Sequence, residues 1–474
     1  MVGSLTSVDS LLKRDIRLCK RHFLLATLVL LAASEAMVLC FAWSRPAPVI
    51  ADGQEYRELA QSMITDGSFP SALRAPGYPA FVAGVWAIFG ESLGAVRVVQ
   101  GFILTLAIGM LVVLGLDLLG WRHRWIVFIA AAAVGLNPEI SYASTKLMPD
   151  SLSMLLVPLV AWLCIRTIRH SWRYGIALGA AMAAVAYVRS EQVVVPVLLL
   201  TGALAVKSLR RRTLVGGLLA GMVMLAGVGP WVWHCRAARG YTGMSCACDA
   251  NIFHRGWYLS PKGQIEPELR SLLIEREGFP EHFSYAPVRR LVSDTLTDGV
   301  KHGNELYTYR TLDFGKEAHL YKALGRIGKE NIPRHLPRFV RDSVKSYVLV
   351  WAGFPLDWLW SYGKRVTFRQ MLEQRSYLGA SVRVLSRIVW PLTMLVGMAA
   401  GLLSMLPASS NQRWAVALTV AASISFILPA CLATPSSRFR TPYDGVFYML
   451  AFTGMAFIAS RMRHSSKGSS DHGV

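Results

Sequence analysis

The sequence predicts an all-α polytopic membrane protein with about ten transmembrane helices, interfacial helices in the first outer loop and one large outer loop. Three observations lead there. Several apolar runs exceed the roughly 18 residues that cross a bilayer. The 474-residue chain is 53% hydrophobic and only 17% charged, too little charge to cover a soluble protein of this length. Its basic residues punctuate the apolar runs on alternate connections, as orientation by charge bias requires. That placement also accounts for the net charge of +21 without a nucleic-acid partner, so none is expected.

The first run, His22 to Trp43, follows Lys13, Arg14, Lys20 and Arg21. It is too long for the apolar core of a signal peptide and lacks a small-residue cleavage site, so it reads as an uncleaved span. Spans are expected at about 22–42, 94–119, 124–142, 147–169, 172–188, 190–206, 214–234, 387–407, 412–432 and 443–461. This divides the chain into three parts. Residues 1–234 form an N-terminal transmembrane module containing the first outer loop, 44–93; 235–386 form a large non-cytoplasmic loop; 387–474 hold the last helices and a tail.

Arg122, Arg124, Arg166, Arg169, Arg173, Lys207, Arg210 to Arg212, Arg413, Arg461 and Arg463 mark the cytoplasmic face, which also takes both termini. The expectation is a multi-pass protein of the cell membrane, the inner membrane if bacterial. Residues 338–361 are apolar and aromatic but interrupted by Arg341, Asp342, Lys345 and Asp357, a pattern for a helix lying flat on the membrane surface.

The seven cysteines show no metal-ligand spacing. Cys19, Cys40, Cys164 and Cys431 read as small packing residues. Cys235, Cys246 and Cys248 fall in a polar stretch where an oxidising compartment allows one disulfide. No cofactor is called for, and a divalent metal stays open.

The loop 44–93 is the most informative. From Gly53 to Thr65 it is amphipathic, with Tyr56, Leu59, Ala60 and Met63 on one face, and Asp66-Gly67 ends the helix. A second apolar stretch, restarted by Pro76-Gly77-Tyr78-Pro79, is too short to cross. Two interfacial helices would hold Asp52 and Arg74 near the lipid headgroups. Asp52 with Glu55 also resembles a capping box, with Glu55 the capping partner.

Other outer connections carry charge beside a span: Asn137-Pro138-Glu139, then Lys146, Pro149 and Asp150; Arg189 with Glu191; Arg438 and Arg440 next to Pro442 and Asp444. Each alone reads as an interface or snorkelling residue. Together, carboxylates and guanidiniums on one face suggest a site for an anionic, membrane-embedded ligand, because arginine there runs against the orientation bias. Glu35, inside the first span, either lines that site from below or pairs with a neighbouring span.

These motifs, in order, resemble the GT-C superfamily of glycosyltransferases, which includes the protein O-mannosyltransferases and the lipid A aminoarabinose transferases. Ala51-Asp52-Gly53-Gln54-Glu55-Tyr56 is similar to the first-loop acidic motif, and Arg74-Ala75-Pro76-Gly77-Tyr78-Pro79 to an R-x-P-x-Y-P segment. Leu136-Asn137-Pro138 with Leu147-Met148-Pro149-Asp150 resembles the third-to-fourth span connection and its second acid. Tyr187-Val188-Arg189-Ser190-Glu191 resembles an R-P-E turn, and Ser437-Arg438-Phe439-Arg440-Thr441-Pro442 an E-R-Y-x-x-P segment. This chain has Asp150 where glutamate is usual, Ser190 for the proline, and Ser436-Ser437 where an acid usually precedes.

The resemblance implies a donor sugar on a polyprenyl phosphate, transferred with inversion to a lipid, glycan or protein acceptor outside the cytoplasm. It assigns Asp52 as base and Asp150 as its assistant or the acceptor's guide. Arg74, Arg189, Arg438 and Arg440 would bind donor phosphate, and Tyr56, Tyr78 and Glu139 would contact substrate. The segment 235–337, with His254, Trp257, Tyr258, Arg289, Arg290, Tyr307 and Tyr309, suits sugar stacking or a solvated lid. The rival class is a transporter or flippase of a lipid-linked glycan, which would place its charges near the bilayer midplane in paired halves. A non-catalytic binding member of the superfamily is the third reading.

Overall fold

The computed structural model describes residues 5–44, 46–49, 52–258, 269, 271–279, 314–352, 373, 377, 381, 384, 389–405, 410–425 and 441–468, and among these there is no strand. Helix α1 (Leu5–Ser44) contains an apolar segment, Lys20–Ser44, long enough to span. Next come α2 (Asp52–Thr65) and α3 (Gly77–Phe89). At 1.5 Å per residue neither reaches across a hydrocarbon core of about 30 Å. Helix α2 buries Tyr56, Leu59 and Ala60 on one face, and Gly67 (φ 61°) follows its end.

Helix α4 (Leu93–Leu119) starts where Ser92 Oγ accepts from the Ala95 amide. The expected 124–142 span is instead two helices, α5 (Arg124–Gly135) and α6 (Pro138–Ser144), meeting at 55°. The break has a local cause: Asn137 Oδ1 accepts from the Glu139 amide, and Pro138 opens the new helix. Helix α7 (Asp150–Arg169) begins at Asp150 rather than at 147.

Residues 174–204 form a hairpin. In α8 (Tyr174–Arg189) the last residue has an extended backbone (φ −154°, ψ 93°), and a 3-10 turn leads into α9 (Val194–Leu204). Both arms lie along α10 (Arg210–Arg239). A Cβ at Gly175, at the start of α8, would meet Gly216 O at 2.4 Å, while one at Gly217 would lie 3.8 Å from Leu200 of α9. The first residues of α8 and the last of α9 therefore share one level of α10. At 11 residues α9 covers about 17 Å, shorter than the expected 190–206 span.

Beyond α10 lie α11 (Ala247–Tyr258), α12 (Phe314–Arg334), α13 (Leu336–Ala352), α14 (Trp390–Met405), α15 (Ser410–Ser425) and α16 (Asp444–Gly468). By length and composition five stretches of the described residues pass as spans, or six with the bent pair; Tyr174–Leu204 passes on its combined length, although its two arms fold back on one another. The main core joins α1, α4, α5, α7 to α10 and α14 to α16. A second core under the large loop gathers Cys235, Tyr241, Cys246, Phe253, Tyr321 and Leu324. Cys235, Cys246 and Cys248 are free thiols here.

Helix α13 exposes Leu336, Val340 and Val344 in one stripe, the amphipathic pattern expected of the 338–361 segment; 353–361 lie outside the described residues.

Candidate active site

One end of the bundle collects the N-termini of α2 and α7 and the tip of the α8–α9 hairpin. Helix α7 carries Asp150 at this end and Arg169, whose carbonyl Arg212 caps at 3.2 Å, about 30 Å away at the other. The motif residues and the basic connections thus occupy opposite ends.

Two close backbone approaches assemble the motif end. A Cβ on Gly53 would lie 3.4 Å from the Leu147 carbonyl, so the residue after Asp52 abuts the turn that leads into Asp150. A Cβ on Gly77 would lie 2.6 Å from the Tyr187 carbonyl, so the start of α3 sits directly on the end of α8. Motifs distant in sequence are joined at both points.

Arg74 centres the first cluster. Its Nη2 donates to Asp52 Oδ1 at 2.6 Å and its Nε to Glu55 Oε2 at 2.8 Å, while the guanidinium stands 5.3 Å from the Tyr56 ring centroid. Burial opposes the charge on Arg74, but the Glu55 and Asp52 carboxylates outweigh it and hold the guanidinium well above its ordinary pKa. Glu55, 1% exposed, is an ion-pair partner of Arg74 in this structure. The Asp52 side chain keeps 32% of its surface open. Asp52 is therefore the accessible acid of the pair.

Tyr56 meets Tyr78 edge to face at 4.9 Å. The Tyr78 hydroxyl donates to Gln100 Oε1 at 3.1 Å, and Gln100 Nε2 faces the carbonyls of Ser144 (3.1 Å), Lys146 (3.0 Å) and Met148 (3.4 Å). One buried amide of α4 thus ties the first loop to the turn before Asp150. Burial pushes the Tyr78 phenol well above its ordinary pKa.

Asp150 and Arg189 form a buried ion pair, with Glu191 4.0 Å from the same guanidinium. The Tyr56 and Tyr443 phenols lie within electrostatic reach of Arg189, which connects this pair to the first cluster and to the start of α16. Glu139, half-buried, stands in the first turn of α6. Arg438 and Arg440 lie outside the described residues, as do Arg289, Arg290, Tyr307 and Tyr309. Among the described residues no three His, Cys, Asp or Glu side chains are grouped to hold a metal.

Sequence reading missed Gln100 and Arg239. Arg239, in the last turn of α10, donates to Ser71 O at 2.8 Å and Phe69 O at 2.5 Å, and the Cys246 amide reaches Ala72 O at 2.7 Å. The large loop is thereby fastened to the strand of chain that delivers Arg74. Gln100 carried a signal, an amide in an apolar run. Arg239 carried none, because basic residues abound at span ends.

The profile of the family described as Dolichyl-phosphate-mannose-protein mannosyltransferase matches residues 73–234. That segment carries a GT-C glycosyltransferase signature. It supports the superfamily resemblance read from the ordered motifs. The match takes in Arg74, Tyr78, Glu139, Asp150 and Arg189 and covers about a third of the chain; Asp52 and Tyr56 precede it. Two solved structures of ArnT from Cupriavidus metallidurans are also similar. The form bound to undecaprenyl phosphate is 17% identical, with 91% of this chain and 78% of that chain covered and a TM-score of 0.39. The apo form is 16% identical, with 90% and 77% covered and the same TM-score of 0.39. No curated protein matches the chain.

Proposed function

We propose that this protein transfers a sugar from a polyprenyl-phosphate donor to a lipid, glycan or protein acceptor on the non-cytoplasmic face, inverting the anomeric centre, with Asp52 as general base. The observation that carries the reading is the convergence of the Asp52, Arg74, Asp150 and Arg189 motifs at one end of the bundle, opposite the basic connections. The matched family, whose description names a dolichyl-phosphate sugar, supports the donor class.

In this reaction the acceptor oxygen attacks the anomeric carbon and passes its proton to the Asp52 carboxylate. The bond from that carbon to the phosphate oxygen breaks on the opposite face of the ring, and the lipid phosphate leaves with the electron pair. Arg74 fixes Asp52 while leaving a third of it open. Arg74 and Arg189, with Arg438 and Arg440 from the last outer loop, answer the charge that develops on the phosphate. Asp150, held by Arg189, orients the acceptor, and Tyr56, Tyr78 and Glu139 line the approach.

Purified protein given labelled polyprenyl-phosphate sugars and candidate acceptors tests this. Transfer by the wild type, lost in a folded Asp52→Asn variant, is the expected result. Undiminished transfer by Asp52→Asn removes the base assignment. Movement of intact lipid across liposomes with no sugar transferred establishes the flippase reading instead.

A further inference from the structure

The two guanidiniums of the described site are already paired with carboxylates. Asp52 and Glu55 share Arg74, while Asp150 and Glu191 share Arg189, so carboxylates outnumber guanidiniums two to one. A phosphate placed between these pairs meets four carboxylates as well as the two guanidiniums. Positive charge that no carboxylate has taken would add to the hold of Arg74 and Arg189 on it.

Two such cations stand at the edge of the same site. Lys146 places its ammonium 5.4 Å from the centroid of the Tyr142 ring. Arg97, near the start of α4, donates from Nε to Thr145 O at 3.2 Å and from Nη2 to Ala47 O at 2.8 Å, with the Tyr142 phenol in electrostatic reach. Neither has a carboxylate oxygen within 4.0 Å among the described residues. Their carbonyl bonds and ring contact position the charges without neutralising them.

The place suits a lipid phosphate. Gln100 grips the carbonyl of Lys146 itself, and Leu147, the next residue, contacts Gly53 beside Asp52. Tyr142 packs edge-on against Phe41 of α1 at 6.0 Å. Helix α1 exposes Leu24, Leu25, Leu28 and Val29 further along, an open apolar flank for a lipid chain. The phosphate would lie at the lipid edge of the site with its sugar directed toward Asp52.

We infer that Lys146 and Arg97 form a phosphate subsite for the lipid-linked substrate, walled by Tyr142. This rests on the donor class proposed above. The chemistry recognised is a lipid phosphate ester, which bulk anionic phospholipid also offers, so the test includes both.

Full-length protein in phosphatidylcholine nanodiscs would be titrated with decaprenyl phosphate, bound ligand being read by native mass spectrometry. Lys146→Met weakens binding about tenfold, the scale of one charge-assisted contact, and Lys146→Arg retains it. The melting temperature of Lys146→Met stays at the wild-type value, because the ammonium holds no backbone group. Arg97→Gln also loses the carbonyl bonds and is less clean, so Arg97→Lys serves beside it: phosphate affinity is kept while stability falls. Equal binding by wild type and Lys146→Met overturns the subsite and leaves the donor class standing. No binding by the wild type overturns both. If phosphatidylglycerol competes mole for mole with decaprenyl phosphate, the site serves bulk lipid and the substrate assignment is overturned.

Discussion

Removing one member of the Asp150–Arg189 pair should be far more damaging than removing both. Their side chains are only 8% and 6% exposed, so either charge left alone stays out of water. Breaking a buried ion pair on one side costs about 3–5 kcal/mol, whereas replacing both partners by neutral groups of similar size is often close to neutral. Glu191, 4.0 Å from Arg189 and 32% exposed, softens one arm of the comparison. Asp150→Asn keeps Arg189 next to a carboxylate, so it should lose roughly 2–3 kcal/mol; Arg189→Met strands Asp150 and should lose about 3–5. The double variant should recover most of that, which puts the coupling energy at roughly 4–7 kcal/mol from the single-variant losses. Denaturant titration of the four proteins in one mild detergent, followed by tryptophan fluorescence, measures the cycle. Effects that add within about 0.5 kcal/mol would show that the two groups do not depend on one another and refute the reasoning. Sugar transfer supplies a separate readout: the double variant should regain stability and remain inactive.

Asp52→Asn should lower transfer by at least about a hundredfold, as expected on losing a general base, with little change in stability for so open a side chain; initial rates and a melting curve check both. Gly77→Ala drives a methyl to 2.6 Å from the Tyr187 carbonyl and should lose about 1–3 kcal/mol, whereas Gly84→Ala in the same helix meets nothing within 4 Å and should be neutral or slightly stabilising. In the large loop, the Arg326 hydrogen bond and then that of Arg276 hold the Glu277 carboxyl below its ordinary pKa, against burial. Its contribution is present above the unfolded carboxylate pKa and disappears as pH falls through the lower folded value. Arg326→Gln should therefore move acid unfolding of the loop to higher pH, as read by limited proteolysis across a pH series.

The elements that could be read from sequence are those whose cause is local. The amphipathic face of α2, its end at Gly67 and the restart at Pro76 depend on neighbouring residues, and the structure places them as the spacing predicts. The break at Asn137-Pro138 was half legible: the motif was visible, but the 55° bend it causes was not. The motifs could be found in order, yet nothing in their spacing says that Gly53 touches Leu147 or Gly77 touches Tyr187. Glu55 shows the same limit. Three residues after Asp52 it satisfies a capping pattern, and nothing in that pattern announces the guanidinium that pairs with it from 19 residues further on.

By itself the sequence determined that this is an all-helical membrane chain with charged connections beside its apolar segments, because hydropathy acts on each segment independently of the others. Tertiary structure alone decided which charges are already paired. Arg74 and Arg189 are balanced by carboxylates, while Lys146 and Arg97 keep their charge. Ion pairing depends on separations of a few ångströms between residues far apart in the chain, and those distances exist only once the helices have packed.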